Sequence, residues 1–357
     1  MHRTLPLSQL VFALLLACGE GAGPDTTPDA GVALLDLGVG DAGAPSRDLG
    51  AGVAELTLGF GDSPVPVPEG TRFAPDVAYD AFDDTTFDVF LPEVAGPTPL
   101  VVFIHGGGFT GGDKGAVYRS APNDVRQALG SGAAFATINY RTLDPVDANG
   151  VLKPLGDSRR ALQFLRYHHR ALNVDPARVV AYGTSAGAGT ALWLGSHPDM
   201  ADPAAADPIA RESTRLRAVG ILGSQSTYDI LDWPGVVFEE YGITADGMAA
   251  ITGEQRLFSF YGVTSWEEMA SEAVTAYRAE VDMLELLDAG DAPVWIESSG
   301  RAVAPEDTGV LYHHPNHGDT VRQRCEAVGL EAVAHIPALD IEGDEAMLPF
   351  FARMLRD

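Results

Sequence analysis

The sequence predicts an α/β protein built on a mostly parallel, doubly wound sheet. Short, wholly apolar runs lie at 100–104, 133–138, 179–182, 219–222 and 294–296. Parallel strands have this composition because helices bury both of their faces, and helical stretches separate the runs as such a sheet requires. Before them, the segments 54–60, 71–81 and 86–91 alternate apolar and polar residues, which predicts an antiparallel entry to the sheet.

A helical cap is expected near the end of the sheet. Between 229 and 292 the chain has helical periodicity, clearest at 248–260 and 266–287. Excursions above the carboxyl ends of parallel strands commonly build the substrate pocket. We therefore predict a signal peptide at 1–18, a linker at 19–52 and an α/β domain at 53–357 that contains this cap.

Composition excludes some classes of partner. The chain has 357 residues, with 50 acidic and 23 basic side chains and a formal net charge of −27. Such a charge repels phosphate backbones and anionic lipid surfaces, so we expect no nucleic-acid partner. The two cysteines are Cys18 and Cys325. Because Cys18 falls in a segment expected to be processed, we expect no internal disulfide framework.

The N-terminus predicts export. Arg3 precedes an apolar run at 10–17, which is too short to cross a bilayer and is typical of a signal peptide. The sequence LLAC at 15–18 resembles the lipobox of bacterial lipoproteins, in which the signal is cut before the cysteine and the cysteine is acylated. Cys18 is thus a predicted lipidation site and the sole membrane attachment, the alternative being an ordinary signal peptide with an incidental cysteine and a secreted product.

The linker prediction rests on composition. Residues 19–52 consist largely of Gly, Ala, Asp and Pro with few aromatic or basic residues. Such a segment cannot bury enough apolar surface to offset the entropy of the chain, so we expect a disordered acidic tether. Its aspartates lack the regular spacing of a calcium loop.

A candidate nucleophile lies at the end of one apolar run. The sequence GTSAG at 183–187 follows the run at 179–182 and precedes a helical stretch at 188–196. A serine on such a sharp turn between strand and helix needs small neighbours, and the turn lifts its Oγ above the sheet. Ser185 is therefore the predicted nucleophile. The alternative is a glycine-rich turn without catalytic function.

A second glycine motif supports the first. The sequence HGGGF at 105–109 follows the run at 100–104. Its unobstructed N–H groups at Gly107 and Gly108, together with that of Ala186, predict an oxyanion hole. His105 is expected to hold this loop by local hydrogen bonds. A phosphate-binding loop is the alternative, but the motif lacks the G-K-[ST] ending of such loops.

These motifs carry a resemblance to a known family. The segments 99–112, NYR at 139–141 and 156–195 resemble the carboxylesterase branch of the α/β-hydrolases, near its feruloyl-esterase-like and hormone-sensitive-lipase-like members. The resemblance covers most of the chain after about residue 71. It implies a Ser–acid–His triad with the acid after the seventh strand and the histidine after the eighth. Asp157 is expected to cap the helix before the nucleophile strand.

The chain departs from the family at the histidine. The eighth strand is expected at 331–337, and the loop after it, 338–345, contains no histidine. Histidines occur instead in the sequence HHPNHGD at 313–319, between the seventh and eighth strands. Because triads are defined by geometry and not by chain order, we predict His314 as the base, with His313 and His317 as alternatives. Their spacing does not form a closed zinc pattern, and we expect no metal or cofactor.

Three aspartates are candidates for the acid. Asp340 follows the eighth strand and is preferred, because an exchange of roles between the last two loops would place it there. Asp229 and Asp307 are the alternatives.

The predicted function is a serine carboxylic-ester hydrolase that works through an acyl-enzyme on small or aromatic esters. The alternative is a catalytically impaired hydrolase-fold protein that binds ligands at the cell surface, because the elbow and glycine loop can persist without a working base.

Overall fold

A single nine-stranded sheet organises the part of the chain that the computed structural model describes, residues 55–356. The predicted signal peptide with Cys18 and the predicted linker at 19–52 lie outside these residues. The strands are β1 Arg72–Ala78, β2 Thr86–Leu91, β3 Thr98–Ile104, β4 Ala134–Ile138, β5 Val174–Thr184, β6 Val219–Leu222, β7 Val294–Glu297, β8 Ala332–Ile336 and β9 Ile341–Glu342. Their order across the sheet is β1-β2-β4-β3-β5-β6-β7-β8-β9.

The strand directions confirm the predicted α/β class. Strands β3 to β8 are parallel to one another, whereas β1, β2 and β9 join the sheet by antiparallel pairing at its edges. Strand β5, which leads to Ser185, lies between β3 and β6 in the middle of the sheet. The chain order reverses beside it, and ligands bind at such a switch point in open α/β sheets.

Helices cover the sheet. They are α1 Ala116–Ser120, α2 Pro122–Gly130, α3 Leu152–Tyr167, α4 His169–Leu172, α5 Ala186–Ser196, α6 Trp233–Val236, α7 Ala245–Thr252, α8 Glu254–Tyr261, α9 Trp266–Met269, α10 Glu272–Val281, α11 Met283–Leu286, α12 Thr308–His313, α13 Pro315–Val328 and α14 Met347–Met354. In the described residues, no helix is long and apolar enough to span a membrane.

The strands are buried on both faces, as their composition predicts. Successive side chains of a strand point to opposite faces, and on β3 Val101 and Phe103 join one apolar cluster while Val102 and Ile104 join another. Each cluster packs helices onto one face of the sheet. This two-sided burial is why the runs of the central strands contain no polar alternation.

Two sequence predictions about these elements are wrong in detail. Residues 55–60 form no strand, and the only pairing nearby is an isolated bridge between Gly61 and Phe73. The helices expected at 248–260 and 266–287 are each divided. Gly253, at φ +85°, ends α7, and the hydroxyl of Ser271 caps α10 by accepting from the N–H of Val274. Local capping therefore interrupts a continuous apolar period.

Asp157 does not cap a helix. Helix α3 begins at Leu152, so Asp157 lies inside it and is buried. Its carboxylate accepts hydrogen bonds from the backbone N–H of Arg141 at 2.8 Å and from its guanidinium Nη2 at 2.8 Å. A buried carboxylate requires such a partner. The pair joins α3 to the segment after β4.

Candidate active site

The turn at Ser185 has the geometry of a nucleophile elbow. Ser185 lies between β5 and α5 with φ +52° and ψ −120°, a backbone conformation that residues other than glycine rarely adopt. Its neighbours must be small. A Cβ on Gly187 would overlap the carbonyl oxygens of Ile104 and His105 on the glycine loop. The elbow and that loop therefore pack directly against each other.

His313 contacts the candidate nucleophile. Its Nε2 lies 2.8 Å from Ser185 Oγ, and its Nδ1 lies 3.1 Å from the carbonyl oxygen of Gly309. A carbonyl only accepts, so Nδ1 carries the proton and the Nε2 lone pair accepts the Ser185 hydroxyl. This is the tautomer that a base needs at the serine.

The partner of the imidazole is a backbone carbonyl instead of a carboxylate. Helix α12 ends at His313, and Gly309 lies one turn earlier in the same helix. Within residues 55–356, no carboxylate is hydrogen-bonded to the His313 ring. Burial lowers the pKa of His313 below its usual value, and the Gly309 carbonyl opposes this shift. The carbonyl fixes the tautomer but adds no negative charge.

The buried position of His313 predicts that activity falls only at a low pH on the acid side of the pH–rate profile. Burial disfavours the imidazolium, so His313 should remain an unprotonated base to a pH below the ordinary histidine value of 6.5. We expect kcat/KM for a neutral ester to rise with pH through a midpoint below 6.5. The test is to measure the rates over the pH range in which fluorescence shows that the protein is folded. A midpoint above 6.5 would indicate a carboxylate partner that raises the pKa.

His314, the base preferred on sequence, does not reach Ser185. It is the first residue after α12 and has an extended backbone, so its ring leaves the helix in a different direction from that of His313. The ring is buried against Phe238 and Tyr241. Its Nδ1 accepts the N–H of Asn316 at the start of α13. The geometry thus favours the alternative base over the first choice.

His317, the remaining alternative, is buried in the core and hydrogen-bonded to groups other than Ser185. Its Nε2–H donates to the carbonyl of Leu311 at 3.0 Å, and its Nδ1 lies 3.2 Å from the N–H of Ser226. Complete burial lowers its pKa to about 3. Both ring nitrogens are therefore occupied away from Ser185.

None of the three candidate acids contacts the base at His313. Asp340 is exposed after β8. Asp307 caps α12 by accepting the N–H of Val310 at 2.8 Å. Asp229 is buried and paired with Arg278 at 2.8 Å. None of the three is hydrogen-bonded to His313.

Asp229, Asp232 and Asp282 also form the one carboxylate cluster in the described residues that could in principle hold a metal ion. Arg278 bonds both Asp229 and Asp232 there. A guanidinium between these carboxylates supplies the positive charge that a cation would bring.

The glycine loop next to Ser185 has N–H groups without a hydrogen-bond partner among the described residues. Gly107 and Gly108 have φ of +114° and +59°, and among the described residues the N–H groups of Gly107, Gly108 and Ala186 make no hydrogen bond. The ring of buried His105 stacks on Tyr140 at 4.2 Å, and its Nδ1 donates to the Gly106 carbonyl at 2.7 Å. These contacts hold the loop. Unpaired donors beside Ser185 are suited to bind an oxyanion.

A small cavity, partly open to solvent, lies over Ser185. Helices α7 and α8, in the segment between β6 and β7, form much of its wall. The lining residues are Gly108, Phe109, Ser185, Ala186, Gln225, Tyr228, Ile230, Trp233, Met248, Thr252, Arg256, Leu257, Phe260 and Tyr312. Apolar and aromatic side chains predominate, and Arg256 is the one charged residue among them. A small or aromatic organic group fits such a wall.

The sheet order, the elbow and the glycine loop are those of the α/β-hydrolase fold. Residues 87–235 match the BD-FAE family model, which confirms the resemblance to α/β-hydrolase carboxylesterases. A truncated carbohydrate esterase from gut microbiota has a similar structure, with a TM-score of 0.57 at 15% identity over 80% of this chain and 96% of that one. At this identity the likeness shows the fold alone.

Curated relatives match part of the chain. The non-reducing polyketide synthase atr1 of Stereocaulon alpinum is 33% identical over 141 residues, which are 34% of this chain and 5% of that protein. Fumonisin B1 esterase of Sphingopyxis macrogoltabida is 29% identical over 152 residues, 35% of this chain and 27% of that protein. The chain therefore spans a minor part of both relatives.

Sequence reasoning missed Gly309 and Arg256. A backbone carbonyl leaves no signature in the residue type, and the helix that brings Gly309 to His313 is only six residues long. Arg256 could have been noticed as a cation on an otherwise apolar cap helix.

Proposed function

We propose that this protein is a serine carboxylic-ester hydrolase that works through an acyl-enzyme. One observation carries the proposal. The Nε2 of His313, in the tautomer set by Gly309, lies at hydrogen-bond distance from Ser185 Oγ on a strained elbow. An adjacent base of this kind activates a serine hydroxyl.

The reaction follows from these positions. Ser185 Oγ attacks the ester carbonyl carbon and its proton passes to His313. The N–H groups of Gly107, Gly108 and Ala186 stabilise the oxyanion. The imidazolium then protonates the leaving alcohol as the C–O bond breaks. Water, deprotonated by His313, then attacks the acyl carbonyl carbon. The imidazolium returns this proton to Ser185 Oγ as the acyl C–O bond breaks and the acid leaves.

Small or aromatic esters are the proposed substrates. The cavity wall is mostly apolar, with Phe109, Tyr228, Trp233 and Phe260 among its rings. The relative described as fumonisin B1 esterase supports ester hydrolysis as the class of reaction. Because no carboxylate among residues 55–356 is hydrogen-bonded to the His313 ring, we expect turnover to be modest.

A fluorophosphonate probe tests the nucleophile. We expect the wild-type protein to be labelled and to hydrolyse p-nitrophenyl acetate, whereas Ser185→Ala should lose both properties. Label measured by in-gel fluorescence and release of p-nitrophenol are the two readouts. Ser120→Ala, at an exposed serine on α1, is the matched control. If wild type showed neither label nor turnover, the protein would be a catalytically impaired binding protein.

We also propose that the protein is exported and anchored by acyl chains on Cys18, on the sequence at 10–18. Two or more buried acyl chains give stable membrane attachment.

In a bacterial host fed an alkyne fatty acid, we expect label on the wild type and its recovery with membranes. Cys18→Ala should lose the label, and Cys325→Ala should keep it. Label that survives Cys18→Ala would contradict the anchor.

A further inference from the structure

One cation faces the cavity over Ser185. Arg256 lies on α8, is half-buried and lines the cavity together with Ser185 and Gly108. Its guanidinium donates a hydrogen bond to the Gly108 carbonyl. It also interacts with the Tyr312 hydroxyl. The charge is thus held next to the glycine loop.

This cation has no acidic partner in the described residues. Acidic side chains outnumber basic ones by 50 to 23 in the sequence, yet no carboxylate lies within 4.0 Å of the Arg256 guanidinium. Glu254, on the same helix, instead accepts from the indole N–H of Trp266 at 2.7 Å. By contrast, the half-buried Arg278 of the neighbouring α10 pairs with Asp229.

Gly108 makes room for the guanidinium. A Cβ at Gly108 would lie 2.7 Å from Arg256 Nη2. The absence of a side chain therefore allows the charge to approach the glycine loop. A partly desolvated guanidinium in an apolar cavity binds a carboxylate well, because its planar fork matches the two oxygens.

We propose that Arg256 binds a carboxylate of the substrate, so that the preferred esters carry a free carboxylate besides the ester bond. This inference rests on the proposed ester hydrolysis. The carboxylate lies on either the acyl or the alcohol portion of the ester, and both arrangements present the same chemistry to Arg256. The large negative charge of the chain disfavours anions in general, so this local cation supplies the selectivity.

Two matched substrate pairs test the proposal and separate the two positions of the charge. For the acyl side, 4-nitrophenyl hydrogen adipate is compared with 4-nitrophenyl hexanoate. For the alcohol side, 3-acetoxybenzoate is compared with 3-acetoxybenzamide. The readout is the ratio of kcat/KM for the anionic ester to kcat/KM for its neutral partner. We expect wild type to prefer the anionic member of one pair.

Arg256→Gln should lower that ratio about 10- to 100-fold, the range for a charge-assisted hydrogen bond. Arg256→Lys, which keeps the charge but loses the fork, should give an intermediate ratio. A purely structural contact with Gly108 would lower both rates in proportion and leave the ratio unchanged. An unchanged ratio in both variants overturns the proposal, as does a wild type with no preference in either pair.

A binding measurement keeps this inference distinct from the proposed function. Calorimetry on Ser185→Ala compares the anilide of adipic acid with hexananilide, which lacks the charge. The acidic anilide should bind more tightly, and Arg256→Gln in the same background should remove the difference. If esters are not hydrolysed but this difference is found, the proposed function fails and carboxylate recognition stands. If neutral esters are hydrolysed and no anionic preference appears in either assay, recognition alone fails.

Discussion

Replacing His313 by alanine is expected to lower kcat for p-nitrophenyl acetate by about 10²–10⁴-fold, the usual contribution of a general base. The Nε2 of His313 lies 2.8 Å from Ser185 Oγ and is the acceptor for its proton. Without it, the hydroxyl has no base. Because the His313 ring is hydrogen-bonded to no carboxylate in residues 55–356, we expect an effect near the lower end of this range. Steady-state kinetics with active-site titration measure the effect.

The double variant makes this result specific. Serine and base act as one unit, so Ser185→Ala with His313→Ala should be no slower than Ser185→Ala alone. The control is His314→Asn, which keeps a side-chain acceptor for the start of α13. It should retain most of the activity. If His313→Ala kept more than a tenth of the wild-type rate, His313 would not be the base.

Replacing Gly107 by alanine is the second large effect, an expected loss of about 10²–10³-fold in kcat, the range for loss of one oxyanion-hole donor. Gly107 has φ +114°, and a Cβ there would overlap the carbonyl oxygen of Gly111. The loop must shift, which moves the N–H groups of Gly107 and Gly108 away from the oxyanion. KM should change less than kcat, because these donors bind the transition state more strongly than the substrate.

Gly111 is the matched control in the same loop. A Cβ at Gly111 would meet nothing within 4 Å, and its φ is not positive. Gly111→Ala should therefore keep activity near the wild-type level. Equal losses in the two variants would show that the loop tolerates no side chain anywhere, and would remove the argument for an oxyanion hole at Gly107. Circular dichroism verifies that both variants are folded.

The chemistry of a base held by a backbone carbonyl differs from that of a full triad. Removal of the acid from a triad is costly partly because the imidazole adopts the wrong tautomer. Here Gly309 sets the tautomer of His313 at 3.1 Å, so that part of the cost is avoided. The charge stabilisation of the imidazolium is still missing. This explains why the lowered pKa of His313 and a modest turnover are expected together.

Local pattern predicted the fold well and the site in part. The apolar runs of β3 to β7 were found because two-sided burial leaves a continuous signal in sequence. The apolar period predicts the cap helices but not their breaks, because the caps at Gly253 and Ser271 interrupt a period that continues through them. The sequence predicts Asp157 as a helix cap, because local pattern does not show its ion pair with Arg141, which is 16 residues earlier in the chain.

Local residue types specify the α/β class, the turn at Ser185 and the glycine loop, because each depends on residues that are adjacent in the chain. No local residue pattern specifies which histidine contacts Ser185, because that contact depends on how α12 packs. His313 and His314 are neighbours, but the end of α12 between them sends one ring to the serine and the other among Phe238 and Tyr241. The arrangement of the site thus depends on where the short helix α12 ends, and residue types specify such an end only weakly.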